Sequence, residues 1–128
     1  MECGVTWKML QKALGYDLSN IDACLLTHEH QDHAKAVKEV MRAGIDVYSS
    51  AGTFEAEALG IQDDRRAKAI PAYAGIHNEA FYSYAFPIIH DAAEPFGYII
   101  REENTNEYLL FVPDSRFIKQ RFNIKFTI

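Results

Sequence analysis

Residues 27–33 read Thr-His-Glu-His-Gln-Asp-His, so three of the five histidines of this 128-residue chain fall within six positions. Given the chain's own composition, the spacing H-x-H-x-D-H has a chance on the order of five in ten thousand. Its flanks constrain the fold as much as the run itself. Ahead of it, Ala23-Cys24-Leu25-Leu26 is an unbroken apolar run inside Ile21 to Thr27, the pattern of a strand covered on both faces. Behind it, His33 to Arg42 carries Ala34, Val37, Val40 and Met41 on one helical face, Lys35, Lys38 and Glu39 on another, and Gly44 as a stop. A buried strand that delivers a polar loop to the start of a helix is a βα unit, and such units build layered α/β folds.

The rest of the first half extends that unit. Val5 to Leu14 reads as an amphipathic helix stopped by Gly15, Ile45 to Tyr48 as a strand, and Thr53 to Leu59 as a short helix ending at Gly60. The second half favours strands. Phe81 to Ile89 is aromatic and β-branched, and Phe96 to Arg101 and Glu107 to Val112 flank the polar turn Glu102-Glu103-Asn104-Thr105-Asn106. In the first of these strands Tyr82, Tyr84, Phe86, Ile88 and His90 share a face, expected as sandwich core rather than as a platform for stacking bases. Arg121 to Ile128 alternates apolar and polar residues and predicts a last strand. No repeat or linker divides the chain, so residues 1–128 are expected to form one domain.

Charge and cysteine content narrow the functional classes. A net charge of −5 argues against bulk electrostatic binding to DNA while leaving room for a local basic groove. Cys3 and Cys24 are too few for a disulfide framework, the apolar runs are too short to span a membrane, and the start lacks a basic stretch followed by an apolar one. A cytoplasmic location is the expectation.

In an extended loop, residues two apart point the same way, so His28 and His30 can offer neutral imidazoles to one metal ion, while Asp32 and His33 turn toward an adjacent position that suits a second borderline ion such as zinc, manganese or iron. The alternative is a polar loop whose histidines cap the helix. Further ligands must come from elsewhere, and His90 and Asp114, each following a predicted strand, are the candidates. Each also has a structural alternative, His90 as a half-buried strand histidine and Asp114 as a turn former after Pro113. His77 lies in an expected loop at the surface.

Taken together, the run 27–33, the later His90 and the Asp114 after an apolar strand resemble the signature of the metallo-β-lactamase fold hydrolases. The resemblance implies an α/β, four-layer αββα sandwich, here partial, with mixed sheets flanked by helices. It implies His28, His30 and His90 on a first divalent metal, Asp32 and His33 on a second, and Asp114 bridging the two, with Asp32 also orienting the attacking water. Zinc is the expected metal, with manganese or iron as alternatives, and a metal-activated hydroxide the expected nucleophile. The context around Glu2-Cys3-Gly4, His90-Asp91-Ala92 and Pro113-Asp114-Ser115 is similar to bacterial and phage members related to nucleases and phosphodiesterases.

Small anionic substrates or nucleic acid are the expected partners, with Arg116, Lys119, Arg121 and Lys125 either steering a phosphate backbone or simply solvating a strand. A thioesterase or lactonase of the same fold is the enzyme alternative, and a shortened, catalytically impaired binding module the non-enzyme one. The family carries strands ahead of the acidic residue matching Glu2 and a further second-metal histidine after the bridging aspartate, whereas no histidine follows His90 here. The second metal position is therefore short of ligands. A start at Glu2-Cys3-Gly4 and a finish on the predicted strand Phe122 to Ile128 would leave sheet edges and apolar faces unpaired, so a homodimer or larger assembly that covers them, with strands exchanged between copies, is the expectation.

Overall fold

The computed structural model describes residues 1–126. Helix α1 (Trp7–Ala13) starts where the Thr6 side chain accepts the Met9 N–H, and Gly15 takes the left-handed conformation that ends it. Strand β1 (Cys24–Leu25) leads into the histidine loop, followed by α2 (Gln31–Ala34) and α3 (Val37–Arg42). Strand β2 (Val47–Ser49) and helix α4 (Ala51–Glu55) come next, then β3 (Ala67–Ala69), β4 (Gly75–Asn78), β5 (Phe81–Pro87), β6 (Phe96–Glu102) and β7 (Glu107–Phe111).

Two sheets result. β1, β2 and β3 form a parallel sheet in that order, and β4 to β7 form an antiparallel meander. The apolar run of β1 serves both faces, as a doubly covered strand must. Cys24 and Leu26 join Val37, Val40, Met41, Val47 and Phe54 in the core beneath the helices. Leu25 instead packs with Ile76, Ala85, Phe96 and Tyr98 between the sheets. The buried Tyr98 hydroxyl donates to the Leu26 carbonyl at 2.7 Å, tying the two sheets together. This is the expected α/β sandwich, with parallel and antiparallel pairing segregated into separate sheets.

Several expectations are corrected. The helix predicted over His33 to Arg42 is two helices. The Ala36 N–H, which a continuous helix would direct to a carbonyl four residues back, instead donates to the Cys3 carbonyl at 2.9 Å, while the Cys3 N–H takes the His33 carbonyl. Helix α4 begins earlier than predicted because Ser50 caps it, accepting the Thr53 N–H at 3.1 Å. It also ends earlier, since Ala56 turns extended. β3 and β4 lie outside the predicted strands, since Ala67, Lys68, Ala69, Gly75 and Asn78 carry little strand signal and Ile76 is the one β-branched residue in the two. His77 accordingly lies on β4 rather than in a loop, although it is exposed and bonds Glu103 at 2.7 Å.

The Tyr82, Tyr84 and Phe86 face is not the interior of the sandwich. Phe86, Ile88 and Ile99 pack outward beneath Tyr84, Phe122, Ile124 and Phe126, while Ser83 and Ala85 face inward and are buried. Residues 121–126 keep the predicted alternation of half-buried and exposed positions but pair with no strand, and residues 127 and 128 of that expected strand lie outside the described residues. Among the described residues no helix is long and apolar enough to cross a membrane.

Candidate metal centre

Four segments converge at one end of the sheets. The loop after β1 brings His28 and His30, the start of α2 brings His33, the connection from β5 to β6 brings His90, and the segment after β7 brings Asp114. Asp114 is carried there by its neighbours. The Ser115 hydroxyl accepts the Ile89 N–H at 3.2 Å and the Arg116 N–H donates to the Ile89 carbonyl at 2.9 Å, which lays this segment beside the His90 connection.

His28 is the centre of the cluster. Its ring centroid lies 4.6 Å from His30, 4.3 Å from His33 and 4.6 Å from His90. It is fully buried, with Nδ1 held 2.8 Å from the Thr27 hydroxyl and Nε2 left without a hydrogen-bond partner. A buried polar atom with no partner is costly unless something else satisfies it. Burial, reinforced by the neighbouring His33, His30 and His90, pushes its pKa down to about 4. At neutral pH the imidazole is uncharged, the form that ligates metal.

Around this ring, ligand atoms fall into two overlapping groups, His28 with His30 and His90, and His28 with His33 and Asp114, the atoms within each lying within 4.8 Å of one another. His30 Nδ1 and His90 Nε2 are 3.3 Å apart. His33 Nε2 lies 2.7 Å from the Asp114 carboxylate, which also approaches His28 Nε2 to 3.8 Å. Since Nδ1 of His28 faces Thr27, its single inward nitrogen can serve one ion, and both groups cannot claim it at once. The donor set of imidazoles with one carboxylate fits a borderline divalent cation.

Of the six residues expected from the sequence, five enter these groups. Asp32 does not. It is 78% exposed, at the rim, with its carboxylate 3.4 Å from His33 Nε2. Sequence reasoning gave no role to Glu2, which accepts the Thr27 N–H at 2.9 Å through one oxygen and holds His33 Nδ1 at 3.0 Å through the other. Burial raises its pKa against the opposing pull of those two partners. The signal available was an acidic residue followed by Cys-Gly, which says nothing of a partner 31 residues away.

A family model described as the metallo-beta-lactamase superfamily matches residues 2–115. The chain belongs to the metallo-β-lactamase superfamily. Among curated proteins it is similar to an exodeoxyribonuclease of Bacillus anthracis, YycJ, with 27% identity over 126 residues, covering 92% of this chain and 45% of that protein. Among solved structures it is similar to the metallo-beta-lactamase fold protein YhfI of Bacillus subtilis, at a TM-score of 0.70 and 19% identity, covering 92% of this chain and 50% of that one. A Cronobacter sakazakii metallo-β-lactamase with a HARLDQ motif is similar at a TM-score of 0.63 and 16% identity, over 85% of this chain and 50% of that one. These two likenesses show the metallo-β-lactamase fold, and the chain spans about half the length of the relatives it matches.

Proposed function

We propose that the chain is a metal-dependent hydrolase acting on phosphodiester bonds, as a nuclease or phosphodiesterase. The observation that carries this reading is the convergence of His30, His33, His90 and Asp114 on the buried, unpartnered Nε2 of His28. In the proposed assignment His28, His30 and His90 hold a first ion and His33 and Asp114 reach a second, with zinc as the metal proposed first, the imidazole content suiting zinc or iron better than manganese. Divalent cations held there supply Lewis acidity and hydroxide at neutral pH. Glu2 keeps His33 oriented through Nδ1 so that Nε2 faces Asp114. Asp32, exposed at the rim with its carboxylate 3.4 Å from His33 Nε2, is proposed to orient the attacking water and to serve the second ion.

Support for phosphodiesters comes from the similar protein named an exodeoxyribonuclease and from the exposed Arg116, Lys119, Arg121 and Lys125, which follow Asp114 directly. The exposure of Asp32 favours a second reading, a binding module that loads one ion without turning over substrate. Copies of the chain are further proposed to associate in the cytoplasm through the open edges β4 and β7.

Hydrolysis of bis(p-nitrophenyl) phosphate and of a single-stranded oligonucleotide, in the presence of zinc or manganese, tests the enzyme reading. Turnover that disappears in His28→Ala and Asp114→Ala is the expected result. Turnover confined to thioesters or lactones would overturn the substrate class, and stoichiometric metal without turnover would establish the module instead.

A further inference from the structure

His90 reaches the cluster on residues 88–95, a connection between β5 and β6 with no ladder of its own. Two clasps hold it. On one side the Ser50 hydroxyl donates to the Glu94 carbonyl at 2.6 Å, and the Glu94 carboxylate accepts the Gly52 N–H at 2.9 Å. On the other, Glu29 Oε1 accepts the Ala93 N–H at 2.8 Å across 64 residues.

Glu29 is only 8% exposed, and its Oε2 has no hydrogen-bond partner among the described residues. A neutral amide would accept the Ala93 N–H equally well. A buried carboxylate with an unpartnered oxygen is the more costly choice unless a positive charge compensates it. Glu29 lies in sequence between His28 and His30, and three neutral imidazoles would leave the full double charge of a cation unbalanced.

We propose that Glu29 is a positioning residue of the metal centre, its hydrogen bond to Ala93 fixing the His90 connection and its buried charge offsetting a cation held by His28, His30 and His90. This rests on the reading of those histidines as a metal group. The test compares wild type, Glu29→Gln and Glu29→Ala by amide hydrogen exchange at Ala93 without metal, by zinc titration, and by the visible spectrum of the cobalt-loaded protein.

Glu29→Ala is expected to expose the Ala93 amide, shift the cobalt spectrum and weaken zinc binding by about 10–100-fold, the usual consequence of losing a support behind metal ligands. Glu29→Gln is expected to restore Ala93 protection but only part of the affinity. Unchanged zinc affinity and cobalt spectrum in Glu29→Ala would overturn the proposal, and wild-type affinity in Glu29→Gln would overturn the role of the charge. A wild type that protects Ala93 yet binds no zinc would overturn the metal reading beneath it.

Discussion

At the scale of single residues, the histidine run was legible because its information is local. Six consecutive positions fix both the residue types and the spacing that metal chemistry needs, and a strand and a helix on either side fix where they are presented. The supports were not legible, because each is a pairing between distant residues: Glu2 with His33, Glu29 with Ala93, Ser115 with Ile89. The depressed pKa of His28 gives a prediction for the metal-free protein. Its folded-state value of about 4 lies below the ordinary value of about 6.5, so between those values the unfolded chain binds the proton more tightly. Stability is therefore intact above that window and falls as pH drops through it, by up to about 3 kcal/mol from this group. Glu2 acts in the opposite sense, since burial raises its pKa. The His28 contribution is thus the difference between wild type and His28→Gln, measured as urea midpoints in chelator, and the variant should show the flatter fall toward acid.

At the scale of elements, strong periodicity is legible in the sequence and interruption is not. The buried face of α3, with Val37, Val40 and Met41, follows directly from the sequence spacing. The break ahead of it does not, because its cause is the backbone of Cys3, which captures the Ala36 N–H. β3 is read only through its parallel register with β2, Val47 opposite Ala67, since its own residues are those of a loop. The same N-terminal contact makes Gly4 indispensable. A Cβ there would lie 1.7 Å from the Asp32 carbonyl oxygen and 2.7 Å from the His33 nitrogen, backbone atoms that cannot swing away. Gly4→Ala is expected to displace the start of α2, lowering stability in urea by about 1–3 kcal/mol or more, as overpacking does, and reducing metal binding with it. A variant with unchanged midpoint and unchanged metal content would show that the N-terminal segment does not brace the centre.

At the scale of the whole molecule, the order of strand, metal loop, helix and later strands that lead into His90 and Asp114 is enough to place the chain in its superfamily, and the layered sandwich follows. Which face of β5 is interior was not legible, because aromatic residues suit either side of a sheet and the covering segment, 121–126, lacks the ladder its alternation suggested. The meander leaves β4 and β7 as edges, and Phe81, Tyr82, Leu109 and Phe117 are each more than 40% exposed. Sedimentation at micromolar concentration is expected to show a dimer or larger assembly, and a monomer would contradict the proposed edge association. The central claim, that residues from three separate stretches of the chain build one metal centre around His28, is tested most directly by metal analysis of the purified protein. After dialysis against zinc and then metal-free buffer, the wild type should retain stoichiometric zinc and His28→Ala should lose it. Wild-type protein that is folded yet carries no zinc, or a His28→Ala variant that retains as much as wild type, would contradict the account.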